Sequence, residues 1–105
     1  EGSDDAQSLK GRLLNKYRIF ETERFQKDLQ HIVMSGQSKL SQKLREFVYP
    51  QLRSHPHFGS NIKKLKGFKP DTWRYRIGSW RFFYEINEQK QIVFMLAASH
   101  RSSAY

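Results

Sequence analysis

Apolar positions along the chain repeat with two different periods, and the change of period divides the sequence into a helical part and a strand part. Between residues 22 and 52 they recur every three or four positions, at Phe25, Leu29, Ile32, Val33, Leu40, Leu44, Phe47, Val48 and Leu52. This spacing predicts two amphipathic helices. From residue 72 onward apolar residues alternate with others or run together, which predicts strands at 72–77, 80–86 and 92–98.

Polar residues and prolines place the boundaries of these elements. Thr22 is the predicted N-cap of the first helix and Gly36 its terminator, and Ser38 is the predicted cap of the second helix. Pro50 falls inside the second helical pattern and predicts a kink or an early end. Residues 17–21 alternate as a short strand, and residues 54–71 are expected to form a loop.

The predicted order is therefore β-α-α-β-β-β, an α+β fold with an antiparallel sheet and a helical hairpin packed on one face. Residues 1–16 are polar and have no durable period, so they are expected to form a flexible N-terminal tail before a domain at 17–105.

Three arginines lie among aromatic residues in the stretch TWRYRIGSWRFFYEI at 72–86. Alternation places Arg74 and Arg76 on one face of their strand. A two-residue turn at Gly78-Ser79 pairs Arg76 with Arg81 on the next strand. Like charges facing each other across a strand pair are destabilising, so the cluster requires an anion. The alternative is that Glu85 neutralises part of it.

The charge of the whole chain agrees with an anionic partner. The 105 residues carry a net charge of +9, and the basic excess is concentrated between residues 53 and 81. Such a domain usually meets nucleic acid or an acidic protein, although a solvated basic face is the simpler alternative. The absence of cysteine excludes disulfides and thiolate metal sites. No apolar run approaches the length of a membrane span and no signal peptide is visible, so a cytoplasmic location is expected.

Several motifs together resemble the RelE/ParE toxin superfamily over about residues 17–105. They are KLKG at 64–67, WRYRIGSWRFFYEI at 73–86 and the closing His100-Arg101 with Tyr105. The resemblance implies a RelE-like fold and a toxin of a type II toxin–antitoxin pair, with a cognate antitoxin as partner. RelE-like members enter the ribosomal A site and cleave mRNA, whereas ParE-like members inhibit DNA gyrase.

In the RelE branch the resemblance implies attack of a ribose 2′-OH on the adjacent phosphate, without metal or cofactor. The implied catalytic residues are Arg74, Arg76, Arg81, His100, Arg101 and Tyr105. Arg81 and Arg101 would stabilise charge, with Arg101 also a candidate general acid, and Tyr105 would orient the cleaved nucleotide. Arginine is a poor base, so His100 is the predicted proton-transfer group. The alternative is that His100 merely ends the last strand.

Two further groups complete the sequence-based predictions. RNA or ribosome backbone phosphates are the expected partners of four lysines, Lys63, Lys64, Lys66 and Lys69. His55 and His57 form an HxH pair without an evident third ligand, so no metal site is predicted. The leading function is a ribosome-dependent mRNA endoribonuclease, and the alternative is a ParE-type gyrase inhibitor without nuclease activity. A bare RNA-binding module is less well supported, because the chain lacks an RRM signature.

Overall fold

Five strands form one mixed sheet, and helices cover one of its two faces. The structure is a computed structural model that describes residues 16–100. In chain order the elements are β1 (Arg18–Glu21), α1 (Glu23–Met34), α2 (Ser38–Lys43), a π-helical turn (Leu44–Val48), α3 (Tyr49–Ser54), β2 (Ile62–Lys64), β3 (Trp73–Ile77), β4 (Trp80–Asn87) and β5 (Ile92–His100). The predicted α+β class with a helical hairpin on one face is confirmed. The predicted tail lies outside the described residues, apart from Lys16.

The strands are arranged in the order β1-β5-β4-β3-β2. Neighbours are antiparallel except at one edge, where β1 runs parallel to β5. The prediction of an antiparallel sheet is corrected at this edge. The helices carry the chain from β1 across to β2 at the opposite edge, so no tight turn imposes an antiparallel partner on β1.

A second correction concerns residues 54–71, which were expected to be loop throughout. Residues Ile62–Lys64 form β2, with Ile62 opposite Tyr75 and Lys63 opposite Arg74. A strand of three residues that contains two lysines shows no readable alternation, and such short, charged strands are typical of sheet edges.

The structure confirms some of the predicted helix boundaries and shifts others. Thr22 caps α1 as predicted, since its hydroxyl oxygen accepts a hydrogen bond of 3.2 Å from the backbone N–H of Phe25. Ser38, however, is the first residue of α2 rather than its cap. The interruption predicted at Pro50 takes the form of the π-helical turn, in which the N–H of Tyr49 donates to the carbonyl of Leu44. Proline clashes with the carbonyl four residues earlier in a regular α-helix, and a wider turn accommodates it.

The core lies between the helices and the covered face of the sheet. Its fully buried members are Phe25, Leu44, Val48, Leu52, Phe82, Tyr84, Val93 and Met95. Tyr75 on β3 joins them and is 6% exposed, as the alternation of that strand predicts. Arg74, Arg76 and Arg81 lie on the opposite side of the sheet, which we call the open face. No helix within residues 16–100 is long and apolar enough to cross a membrane.

Candidate functional site: an arginine-lined sheet face

The hairpin of β3 and β4 brings three arginines together on the open face. Arg76 lies directly opposite Arg81, and Ile77 lies opposite Trp80, so the predicted register is confirmed. Gly78 in the connecting turn has a φ of 56°, a conformation that glycine adopts without strain. Arg74 lies opposite Phe83, one step along the same face.

No carboxylate compensates this cluster within the described part of the chain. Every ion pair found there involves other residues, and Glu85 is not within 4.0 Å of any of the three guanidiniums. The Nε atoms of Arg74 and Arg81 are buried and have no hydrogen-bond partner among residues 16–100. A buried donor without a partner costs about 1–3 kcal/mol, so an acceptor that reached these atoms would be bound favourably.

The electrostatics of the cluster agree with this description. Partial burial lowers the pKa of Arg74, and the charges of Arg76 and Arg81 lower it further. Each cause disfavours the charged form of the guanidinium, and an anion between the side chains would act against them. An oxyanion such as a phosphate group has the negative charge and the hydrogen-bond acceptors that the described residues do not supply to this cluster.

His100 does not lie with the arginines. The residue is opposite Trp80 in the register of β4 and β5, whereas Arg81 is opposite Ser99. The imidazole of His100 meets the indole of Trp80 edge-on, with centroids 5.1 Å apart, on the helix-covered face. A shallow pocket there is lined by His100 and by residues that include Lys39 and Lys43 of α2. His100 thus lies on the other face of the sheet from the three arginines, and its proton-transfer role stays a prediction. The other two predicted catalytic residues of this region, Arg101 and Tyr105, lie outside the described residues.

Ser99 is a residue of the open face that sequence reasoning missed. It lies opposite Arg81, and its Oγ is buried without a hydrogen-bond partner in the described part of the chain. Alternation along the sequence would indicate that Ser99 shares a face with Arg81 only if the pairing of β4 with β5 were known.

The four lysines lie in three places. Lys63 is exposed and lies opposite Arg74, so it extends the open-face cluster onto the edge strand. Lys64 belongs to the other face: its Nζ lies 6.0 Å from the ring centroid of Trp73 and 3.2 Å from a carboxylate oxygen of Asp71. The loop after β2 also lines a pocket and carries two exposed lysines, Lys66 and Lys69.

The HxH segment takes part in a hydrogen-bonded network instead of a metal site. Glu88 accepts a hydrogen bond of 2.7 Å from the hydroxyl of Tyr17, and its other oxygen is hydrogen-bonded to Nε2 of His57. The hydrogen bond from Tyr17, and after it that of His57, lowers the pKa of Glu88. The pKa of Tyr17 is raised to about 12, chiefly by burial and then by its hydrogen bond to Glu88. Residues 16–100 contain no group of three potential metal ligands. The network fastens the loop after α3 to the sheet.

The chain is thus a small basic α+β domain whose sheet carries three neighbouring arginines on the face opposite the helices. Residues 19–105 match the family model described as the ParE toxin of type II toxin–antitoxin system, parDE. The chain belongs to this family and so to the RelE/ParE superfamily of toxins.

Several solved structures have the same fold as this chain. A metal-bound toxin from Helicobacter pylori is 23% identical with a TM-score of 0.69, over 85% of this chain and 99% of that one. The RelE–RelB complex of Pyrococcus horikoshii gives 23% identity and a TM-score of 0.60, over 84% and 98%. The intact E. coli RelBE toxin–antitoxin complex gives 24% identity and 0.58, over 80% and 95%. No curated protein sequence matches the chain significantly.

Proposed function

We propose that this toxin is a ribosome-dependent, metal-independent endoribonuclease that cleaves mRNA in the A site. The observation that carries the proposal is the open-face cluster of three guanidiniums, two of which have a buried Nε without a hydrogen-bond partner among residues 16–100. A cleaved phosphodiester gathers negative charge on its nonbridging oxygens, and fixed donors in a desolvated site stabilise such charge strongly.

In the proposed reaction a ribose 2′-oxygen attacks the adjacent phosphorus and the bond from phosphorus to the 5′-oxygen breaks. The products are a 2′,3′-cyclic phosphate and a 5′-OH. Arg74, Arg76 and Arg81 stabilise the pentacovalent intermediate. One proton leaves the 2′-OH and another reaches the 5′-oxygen. We assign the second transfer to Arg101 and the orientation of the nucleotide to Tyr105. Because His100 faces the helices, we assign the acceptor of the first proton to the open face, where Glu85 shares the face of Arg81 on β4.

The proposal includes a protein partner, an antitoxin with an acidic segment that covers the open face. The family assignment and the charge of +9 support this partner, because neutralising the cluster would both bind the toxin and block its site. The place of action would be the cytoplasm, where the ribosome is found.

A second function has a specific observation in its favour, namely that the matching family model is the ParE toxin. In this alternative the protein inhibits DNA gyrase by binding alone. The arginine cluster would then contact gyrase or its DNA, and no proton-transfer group would be needed.

One pair of assays separates the two functions. The purified protein is added to a translating extract, where mRNA 5′ ends are mapped, and to a gyrase supercoiling reaction. The endoribonuclease predicts codon-phased cuts that disappear in Arg81→Ala. A matched control is Arg45→Ala, which removes the same charge from the helical side and should cut like the wild type. Intact mRNA together with inhibited supercoiling would exclude the endoribonuclease and support the gyrase inhibitor.

A further inference from the structure

A β-bulge in β5 decides which residue lies beside Arg81. From Asn87 to Tyr84, each residue of β4 pairs with the next residue of β5, and Tyr84 lies opposite Met95. The next residue, Phe83, lies opposite Ala97 and not opposite Leu96. Leu96 is thus the extra residue of the bulge. If β5 had no extra residue at this point, the register would place Ala98 opposite Arg81. Bulges of this kind redirect side chains and are over-represented beside active sites.

The shift brings Ser99 into a row with two arginines. Arg76, Arg81 and Ser99 occupy directly opposed positions on three adjacent strands of the open face. Side chains in such positions have Cβ atoms about 4.5–5.5 Å apart. Without the bulge, Ser99 would lie opposite Trp80 on the helix-covered face and could not reach this row.

A contact from the helical layer holds the end of β5 in the shifted position. The backbone N–H of Ala98 donates a hydrogen bond of 3.0 Å to a carboxylate oxygen of Asp28 on α1. β1 ends at Glu21, opposite Met95, so among residues 16–100 no strand lies beside Ala98 on that side. Asp28 satisfies a donor that the sheet leaves unpaired, and it thereby fixes the residue next to Ser99.

The hydroxyl of Ser99 and the Nε of Arg81 both lack a hydrogen-bond acceptor within the described part of the chain. Both are buried, both can donate a hydrogen bond, and neither has a partner among residues 16–100. Phe83 and Ala97 beside them are 4% and 1% exposed, so the surroundings are apolar and strengthen any hydrogen bond formed there. One oxygen atom of an anion can accept from both groups at once.

We propose that Ser99 is a ligand of the bound phosphate, donating its Oγ–H to a nonbridging oxygen that also accepts from Nε of Arg81. This inference deepens the proposed function and rests on it only for the identity of the anion as an RNA phosphate. The hydroxyl contributes to binding and positioning, and it does not transfer the protons of the reaction.

The test measures binding without chemistry. The probes are inorganic phosphate and a single-stranded RNA whose 2′ positions are O-methylated, so that it cannot be cut. In the wild type, phosphate should shift the Nε–Hε resonance of Arg81 in a ¹H–¹⁵N spectrum. Ser99→Ala should diminish this shift and weaken RNA binding about tenfold, as expected for one hydrogen bond to a charged group. Ser99→Thr retains a hydroxyl and should stay within threefold of the wild type.

Ser38→Ala, the same substitution on the helical layer, serves as the control and should change nothing. The inference is overturned if Ser99→Ala binds RNA like the wild type with an unchanged Arg81 resonance, or if Ser99→Thr is impaired as much as Ser99→Ala. Failure of the proposed endoribonuclease function would give a different result. The wild type would then make no cuts in the extract, but Ser99→Ala would still weaken the binding of phosphate and RNA. That result would leave Ser99 as an anion ligand.

Discussion

His100 and Trp80 pack edge to face, with ring planes at 85° and centroids 5.1 Å apart. This contact places the last described residue of β5 on the helix-covered side of the sheet, while its neighbour Ser99 lies beside Arg81 on the other side. The two residues have thus exchanged the faces that an unbulged strand would give them. The histidine therefore packs against Trp80, and the serine lies beside Arg81.

We therefore expect His100→Gln to affect stability more than activity. Loss of the aromatic contact should lower the free energy of unfolding by about 0.5–1.5 kcal/mol, measured by urea denaturation. Binding of the O-methylated RNA and the single-turnover rate of cleavage should stay within threefold of the wild type. A fall in the cleavage rate of about a hundredfold or more, with unfolding unchanged, would instead assign His100 a role in proton transfer.

Arg76 lies directly opposite Arg81. We therefore expect a substitution that removes one of the two charges to raise stability and to weaken anion binding. Arg76→Gln removes one of two facing like charges, so the free energy of unfolding should rise by about 0.2–1 kcal/mol at low salt. The same variant should bind RNA more weakly. The gain in stability should shrink in 0.5 M NaCl, since salt screens exposed charges.

Arg45→Gln on the helical side is the matched control for this prediction. Its guanidinium donates a hydrogen bond to Ser41 and faces no other arginine across a strand, so its replacement should bring no gain in stability. An Arg76→Gln protein as stable as the wild type at low salt would show that the open-face charges do not repel appreciably.

Local patterns predicted the parts of the fold that local interactions decide. The cap at Thr22 needs only neighbouring residues, and the pairing of Arg76 with Arg81 follows from a two-residue turn that leaves one register. The strand Ile62–Lys64 was missed because its pairing with β3, rather than its own composition, makes it a strand.

The candidate site was predictable to the same extent. The arginines were found because they belong to one hairpin, in which alternation determines the faces. The sequence assigned neither Ser99 nor His100 to a face of the sheet, because the bulge at Leu96 depends on how β5 fits between β4, β1 and α1. A one-residue shift reverses the faces of all residues that follow it.

The two neighbouring lysines of β2 should contribute unequally to RNA binding. Lys63 is exposed beside Arg74, whereas Lys64 is paired with Asp71 on the other face. Lys63→Ala should reduce the slope of log K against log salt by about 0.7, the value for one contact to single-stranded nucleic acid. Lys64→Ala should change the slope less. Equal reductions in a salt titration of the O-methylated RNA would contradict this division of the two lysines.

The hydrogen bonds of Glu88 predict a specific loss of stability in acid. Tyr17 and His57 lower the pKa of this carboxyl below its ordinary value of 4.5 in the folded protein. Such a group contributes its full stabilisation above the unfolded pKa, and the contribution disappears as the pH falls through the folded pKa. Glu88→Gln should therefore be less stable than the wild type near pH 6, and the difference should be smaller at about pH 3, below the ordinary pKa of 4.5. A difference in urea midpoint that is the same at both pH values would contradict the linkage.

Tyr17→Phe tests the same hydrogen bond from its donor and predicts an effect in alkali. The pKa of Tyr17 is raised to about 12 from an ordinary 10.0, first by burial and then by Glu88. A raised folded pKa stabilises the protein fully below pH 10, and this contribution is lost as the pH rises towards 12. Over this range the wild type should lose more stability than Tyr17→Phe, as measured by the urea midpoint at each pH. In acid the variant should resemble Glu88→Gln, because the largest cause of the lowered pKa of Glu88 is gone. Parallel alkaline curves for the two proteins would show that the hydroxyl of Tyr17 titrates alike in the folded and unfolded states.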